Sequence, residues 1–94
     1  MRGLTFVWGE SKDRANQRKH GISFAEARTV FYDENAREYD DPDQSAREER
    51  FIPLGISSRL RVLVVCHCYR ESESVIRIIS ARKADRNEEQ VYWS

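Results

Sequence analysis

Two apolar blocks separated by a five-residue polar break constrain this chain more than any other feature. Leu60 to Tyr69 is apolar at successive positions as well as alternate ones, so a strand built from it must be covered on both faces and belongs in the middle of a sheet. Arg70 to Ser74 is a turn, and Val75 to Arg82 runs back as the antiparallel partner. That second block carries two arginines. With regular alternation, Val75, Arg77, Ile79 and Ala81 share one face, and Ile76, Ile78, Ser80 and Arg82 share the other, so each face receives one guanidinium. An unpaired buried charge costs several kcal/mol, roughly, so each arginine pairs with a carboxylate, reaches the sheet edge, or lines a cleft that receives an anion.

The remaining elements follow from periodicity. Leu4 to Trp8 reads as a short first strand. A helix is expected from about Ser11 to His20, with Asp13 early, Arg18, Lys19 and His20 late, and Gly21 at the left-handed capping position. This helix has almost no apolar face, which leaves its cationic side to solvent or to a ligand. Ser23 and Glu26 form a capping-box pattern that starts a second helix, whose Phe24, Ala27, Val30 and Phe31 recur at helical spacing as far as Tyr32. An acidic loop follows, with Asp41-Pro42-Asp43 as its turn signal. A strand over Glu48 to Leu54, a turn over Gly55 to Arg59, and a terminal helix over Ala84 to Tyr92 complete the pattern. The order predicts an α+β domain: a small antiparallel sheet, N-terminal helices packed on it, and a short C-terminal helix.

At 94 residues the chain has room for one domain, taken as residues 1–94, and one modest core. Hydrophobic residues make up 39% and charged residues 34%, the polar end of a globular composition, so a partner covering surface would add stability. There is no apolar run of transmembrane length and no signal-peptide pattern at Met1 to Trp8, so a cytoplasmic protein is expected. Cys66 and Cys68 lie two apart on one strand face, at the limit of disulfide reach, and read as small buried hydrophobes. No second ligand pair accompanies them, so neither a zinc site nor any other cofactor is expected.

Lys plus Arg and Asp plus Glu balance at 16 each, which taken alone argues against a nucleic-acid binder. The charges are segregated, however. Asp33 to Glu49 holds eight acids against Arg37 and Arg47, leaving 14 basic and 8 acidic residues elsewhere, with clusters at Lys12 to Lys19 and Arg77 to Arg86. A basic patch bordered by an acidic loop attracts polyanions at one place and repels them at another.

Phe6-Val7-Trp8, Asn16-Gln17-Arg18-Lys19-His20-Gly21-Ile22-Ser23-Phe24, Val30-Phe31-Tyr32-Asp33, Glu49-Arg50 and Ile76 to Ala84 occur together in this order. In them the chain resembles the BrnT-type toxins of bacterial type II toxin-antitoxin systems over nearly its whole length. Gly9, where the family usually has an acid, and Glu89, where it usually has arginine, depart from the pattern. The resemblance implies a RelE-like fold, an RNA-cleaving activity that slows translation and arrests growth, and neutralisation by a BrnA-like ribbon-helix-helix antitoxin. It further implies a 2:2 toxin-antitoxin assembly that reaches operator DNA only through the antitoxin.

Metal-independent RNA cleavage sends the ribose 2′-hydroxyl onto the adjacent phosphate. It needs in-line positioning, a proton acceptor, and stabilisation of the extra phosphate charge. Arginine suits the last task, because its planar fork binds two phosphate oxygens and keeps its charge. Arg82 is the first candidate, Arg77 the second, and Arg50, beside Glu49, the third. Proton transfer falls to His67, Glu49 or His20, with Tyr92 as a remote candidate. His20 also fits a helix-capping role, and it joins Lys19 and Lys83 as a contact to the RNA backbone. Register decides whether His67 faces Arg77 across the hairpin or, one residue slipped, shares the face of Ser80 and Arg82. Two other readings stay open: a toxin-fold protein that poisons a protein target such as gyrase, and a non-catalytic basic interaction module.

Overall fold

The computed structural model describes residues 4–40, 51–70 and 72–94. The chain runs β1 (Thr5–Val7), α1 (Glu10–His20), α2 (Phe24–Ala27), a 3₁₀ turn (Arg28–Tyr32), β2 (Arg37–Asp40), β3 (Phe51–Ile56), β4 (Val62–Arg70), β5 (Ser72–Lys83) and α3 (Arg86–Trp93). The five strands form one sheet in the order β1-β5-β4-β3-β2, with β4 in the centre as its two-sided apolarity requires. The pairs from β2 to β5 are antiparallel, and β1 adds to the far edge of β5 in parallel. The architecture is α+β as expected. No described helix is long and apolar enough to cross a membrane.

One face of the sheet is covered by α1, α2 and the 3₁₀ turn. Ile22, Phe24, Ala27 and Val30 pack there against Leu63, Val65, Ile78 and Ala81, all at most 1% exposed. Helix α1 contributes only Asn16 to the interior. The Asn16 carboxamide donates to the carbonyls of Ile22 (2.8 Å) and Ala81 (2.9 Å) and accepts from the Ala81 amide (3.2 Å). It thus meets both backbone groups of one β5 residue, as a neighbouring strand would. At the C-terminus of α1, Gly21 adopts φ 74° and its amide bonds the Gln17 carbonyl, the left-handed cap expected there.

The second helix departs from expectation. Ser23 accepts from the Glu26 amide, but the Glu26 carboxylate does not reach back to complete the box. It is drawn instead to Arg61 and Ser57. After Ala27 the coil tightens to 3₁₀ geometry, where residues three apart eclipse, so Phe24, Ala27 and Val30 stack on the sheet. The Thr29 hydroxyl accompanies this by donating to the Glu26 carbonyl at 2.6 Å while accepting from the Ser58 amide. The turn lies so close to β3 that a Cβ on Gly55 would sit 2.7 Å from Val30 Cγ1. Residues 37–40, expected within the acidic loop, are a strand, with Arg37 opposite Leu54.

The other face carries a smaller core of Leu54, Val62, Val64 and Tyr92, the last from α3. Asp85 caps α3 with a complete box, since its side chain accepts from the Glu88 amide and Glu88 accepts from the Asp85 amide. At the other end of α3 the Tyr92 hydroxyl donates to Asp33 Oδ2 at 2.6 Å, and Arg37 donates to the carbonyls of Tyr92 and Ser94. Asp33 also accepts from the amides of Ile56 and Asn35.

Candidate active site

The position of the arginines is set by a bulge. Cys66 pairs with Ser80 but His67 pairs with Ile78, leaving Ile79 as an inserted residue in β5. An inserted residue reverses the phase of everything beyond it. Arg82 lies opposite Val64 and Arg77 opposite Cys68, and Val64 and Cys68 share a face of β4. Both arginines are therefore on the α3 face. The expectation of one arginine per face, drawn from unbroken alternation, is corrected by this single residue. Cys66, Cys68 and Ser80 lie on the same face, half-buried rather than fully buried, and neither cysteine is in a disulfide.

The two guanidiniums differ in what surrounds them. Arg82 is 43% exposed and forms a two-pronged pair with Glu88, both N···O distances being 2.8 Å. A carboxylate there occupies the fork that would receive two phosphate oxygens. Arg77 is half-buried, and among the described residues its guanidinium has neither a hydrogen bond nor an ion pair. A partly desolvated cation without a counter-charge is the arrangement that an arriving anion relieves.

His67 meets neither register expected for it. It lies opposite Ile78 on the helix-covered face, away from both arginines, and is 2% exposed. Its ring makes edge contacts with Phe31 (4.8 Å) and Tyr69 (5.4 Å). Burial pushes the imidazole below its ordinary pKa, with the Val65 carbonyl opposing in part, so the ring is held neutral. Lys19 is exposed and His20 half-buried in the last turn of α1, where the Lys19 charge complements the helix dipole. Lys83, exposed at the end of β5, borders a groove with Leu60 and Trp93. Glu49 and Arg50 lie outside the described residues. The structure thus brings Arg77 and Arg82 together on one face and separates His67 from them.

Tyr92 is occupied structurally. Burial and the adjacent Asp33 carboxylate push its phenol up to about 12, too high for proton exchange near neutrality. Burial alone would raise Asp33, but the Ile56 amide, the Tyr92 hydroxyl and the Asn35 amide hold it below the ordinary range. Glu26 behaves alike: burial opposes ionisation, and the hydrogen bonds from Arg61 and Ser57 with the charges of Arg61 and Arg59 prevail. Glu88 was not among the sequence candidates, although Asp85-x-x-Glu88 directly after a strand is a readable capping signal.

Among solved structures, the chain is similar to the ribonuclease toxin BrnT of Brucella abortus, with a TM-score of 0.66 over 88% of this chain and 99% of that one. At 21% identity this likeness shows a shared fold. No curated protein matches. A family model described as "Ribonuclease toxin, BrnT, of type II toxin-antitoxin system" matches residues 8–88, which take in α1, the bulged β5 and both arginines. The chain belongs to the BrnT family of ribonuclease toxins of type II toxin-antitoxin systems.

Proposed function

We propose that this chain is a metal-independent endoribonuclease that acts in the cytoplasm, cuts RNA through the 2′-hydroxyl and so slows translation. The half-buried Arg77, without a counter-charge among the described residues and on the same face as Arg82, carries this reading. Five residues of strand separate the two arginines by on the order of 15 Å, so they attend different phosphates of one strand. Arg82 stabilises the charge that builds on the scissile phosphate once the phosphate displaces Glu88 from its fork, and Arg77 anchors a phosphate further along the strand. Glu49 is the proton acceptor in this reading, with Arg50 beside it as a third cation, because His67 lies on the opposite face. Lys19, His20 and Lys83 supply backbone contacts that carry no sequence information.

The neutralising partner is a BrnA-like ribbon-helix-helix antitoxin in a 2:2 assembly, which follows if a dimeric DNA-binding module recruits one toxin per protomer. DNA binding then belongs to the complex. The zero net charge of this chain supplies little non-specific affinity. Incubating the purified chain with RNA in EDTA tests the catalytic reading. Cleavage that persists and leaves 2′,3′-cyclic phosphate ends is expected, whereas cleavage restored only by added divalent metal would overturn it. Light scattering on the complex purified with the product of the adjacent small gene tests the 2:2 assembly.

A further inference from the structure

Among the described residues Leu60 alone, glycines aside, has a positive φ, and it serves neither the turn nor the core. It sits in the β3–β4 turn at φ 63°, a conformation that disfavours any residue with a Cβ, and its side chain is 80% exposed. A residue strained in its backbone and apolar in water signals a use outside the fold. The turn is too well bonded to relax. The Leu60 amide donates to the Ser57 carbonyl and the Ser57 amide to the Arg61 carbonyl, both at 2.8 Å. The Ser57 hydroxyl donates to Glu26 (2.7 Å), and the Ser58 amide donates to the Thr29 hydroxyl (2.9 Å). Leu60 is thus a rigid projection. Trp93, 64% exposed at the end of α3, is held as firmly, since the neighbouring Tyr92 is tied through its hydroxyl to Asp33 and through its carbonyl to Arg37. Leu60 and Trp93 line one groove of about 340 Å³ together with Val62, Ala84, Lys83 and Glu89. Trp93 and Glu89 also line a second depression, of about 500 Å³, with Arg86 and Gln90.

Apolar side chains already fixed in place lose little freedom on being covered, which makes them effective binding anchors. The charges at the rim select the occupant. Lys83, Arg86 and, beside Leu60, Arg59 are exposed cations against the single carboxylate of Glu89, whereas Arg61 is already neutralised by Glu26. This excess favours an acidic partner. Leucine offers nothing to a nucleotide, and Glu89 repels phosphate, so the groove suits a peptide better than RNA. Membership in a toxin-antitoxin family supplies a protein partner. We propose that this groove is the docking site of the antitoxin, which lays an acidic segment along Lys83 and Arg86 and seats a large apolar side chain between Leu60 and Trp93. The choice of partner rests on the toxin-antitoxin reading. Lys83 directly follows Arg82 and Glu89 directly follows Glu88, so the bound segment enters beside the Arg82–Glu88 pair and its continuation covers the RNA site.

Calorimetric titration of the full chain with the product of the adjacent small gene tests the groove. Leu60→Gly relaxes the turn, so a merely structural leucine would leave binding unchanged, whereas loss of an anchor should weaken it by about tenfold or more. Trp93→Ala should weaken it further. Arg86→Glu should slow association and flatten its dependence on salt. RNA cleavage by these variants without the partner should match the wild type. Unchanged affinity in both Leu60→Gly and Trp93→Ala overturns the proposal. Loss of RNA binding or cleavage by the folded variants overturns it too, and hands the groove to RNA. Light scattering that finds the free chain dimeric and Leu60→Gly monomeric overturns it in favour of a second copy. A wild-type chain that does not bind the neighbour at all overturns the antitoxin reading together with the proposal. Binding weakened by Leu60→Gly in a protein that cuts no RNA would leave the groove standing and remove the nuclease reading instead.

Discussion

The two faces of the sheet are built to different standards. On the helix-covered face, four residues from the helical layer meet four from β4 and β5, all at most 1% exposed, and the polar atoms of Asn16 and Glu26 are bonded. On the α3 face, one eight-residue helix covers Leu54, Val62 and Val64, while Arg77, Cys66, Cys68 and Ser80 stay half-open. Stability resides in the first layer and charge chemistry in the second. Substitutions should therefore separate cleanly, those on one face unfolding the protein and those on the other disabling it.

The largest effect expected is from Phe24→Ala, which empties a fully buried site between α2 and the sheet. It should cost about 3–5 kcal/mol in urea unfolding, a large share of the roughly 5–15 kcal/mol a domain possesses. A loss of under about 1 kcal/mol would break the contrast. Arg82→Ala comes next: RNA cleavage and growth inhibition should fall about 100- to 1,000-fold. Thermal melting should move little, because a pair this exposed contributes about 1 kcal/mol or less. Lysine should restore activity only in part, lacking the fork. Full toxicity in a folded Arg82→Ala protein would remove the α3 face from catalysis.

Glu26→Gln sharpens the comparison from the helix side, since it weakens two hydrogen bonds from Arg61 and is expected to cost about 1.5–3 kcal/mol. It also bears on pH. Glu26 and Asp33 ionise more readily in the folded chain than their ordinary values of 4.5 and 3.8, so their contribution is complete above those values and is lost as pH falls through the lower folded ones. His67, lowered from 6.5, acts in the same sense and begins to destabilise as pH falls below that value. A melting temperature that declines from pH 6.5 and steepens below 4.5 is expected, with the steeper limb shallower in Glu26→Gln. The smallest effect is a gain. Leu60 adopts φ 63° in the β3–β4 turn with its side chain 80% exposed, so Leu60→Gly should add about 1 kcal/mol.

What the sequence made legible was whatever depended on local period. The centrality of β4, the cap at Gly21 and the existence of α3 all follow from spacing alone. What it hid was decided by contacts between distant segments. The bulge at Ile79 has no compositional mark, since isoleucine is as suited to a regular strand as to an inserted position, yet it moves an arginine from one face to the other. The 3₁₀ turn was obscured because Phe24, Ala27 and Val30 fit helical spacing as well as a threefold repeat. Strand β2 was hidden in an acidic segment that propensity assigns to a loop, and pairing with β3 overrides that preference. At the site, arginines on a strand were visible as a paradox, but only the register resolved it.

The Asn16 carboxamide has one more consequence, for the behaviour of the chain among its own copies. Strand β1 covers only Val75 to Arg77 of a twelve-residue β5, so among the described residues the outer margin of β5 from Ile78 onward has no strand beside it. Exposed margins of this kind recruit strands from other molecules and seed aggregation. Asn16 occupies the amide and carbonyl of Ala81 within that margin, and α1 packs alongside, which makes a nearly apolar-free helix a guard rather than a core element. A substitution that loosens α1 would then turn the chain into a template for self-association before it ever lost its fold.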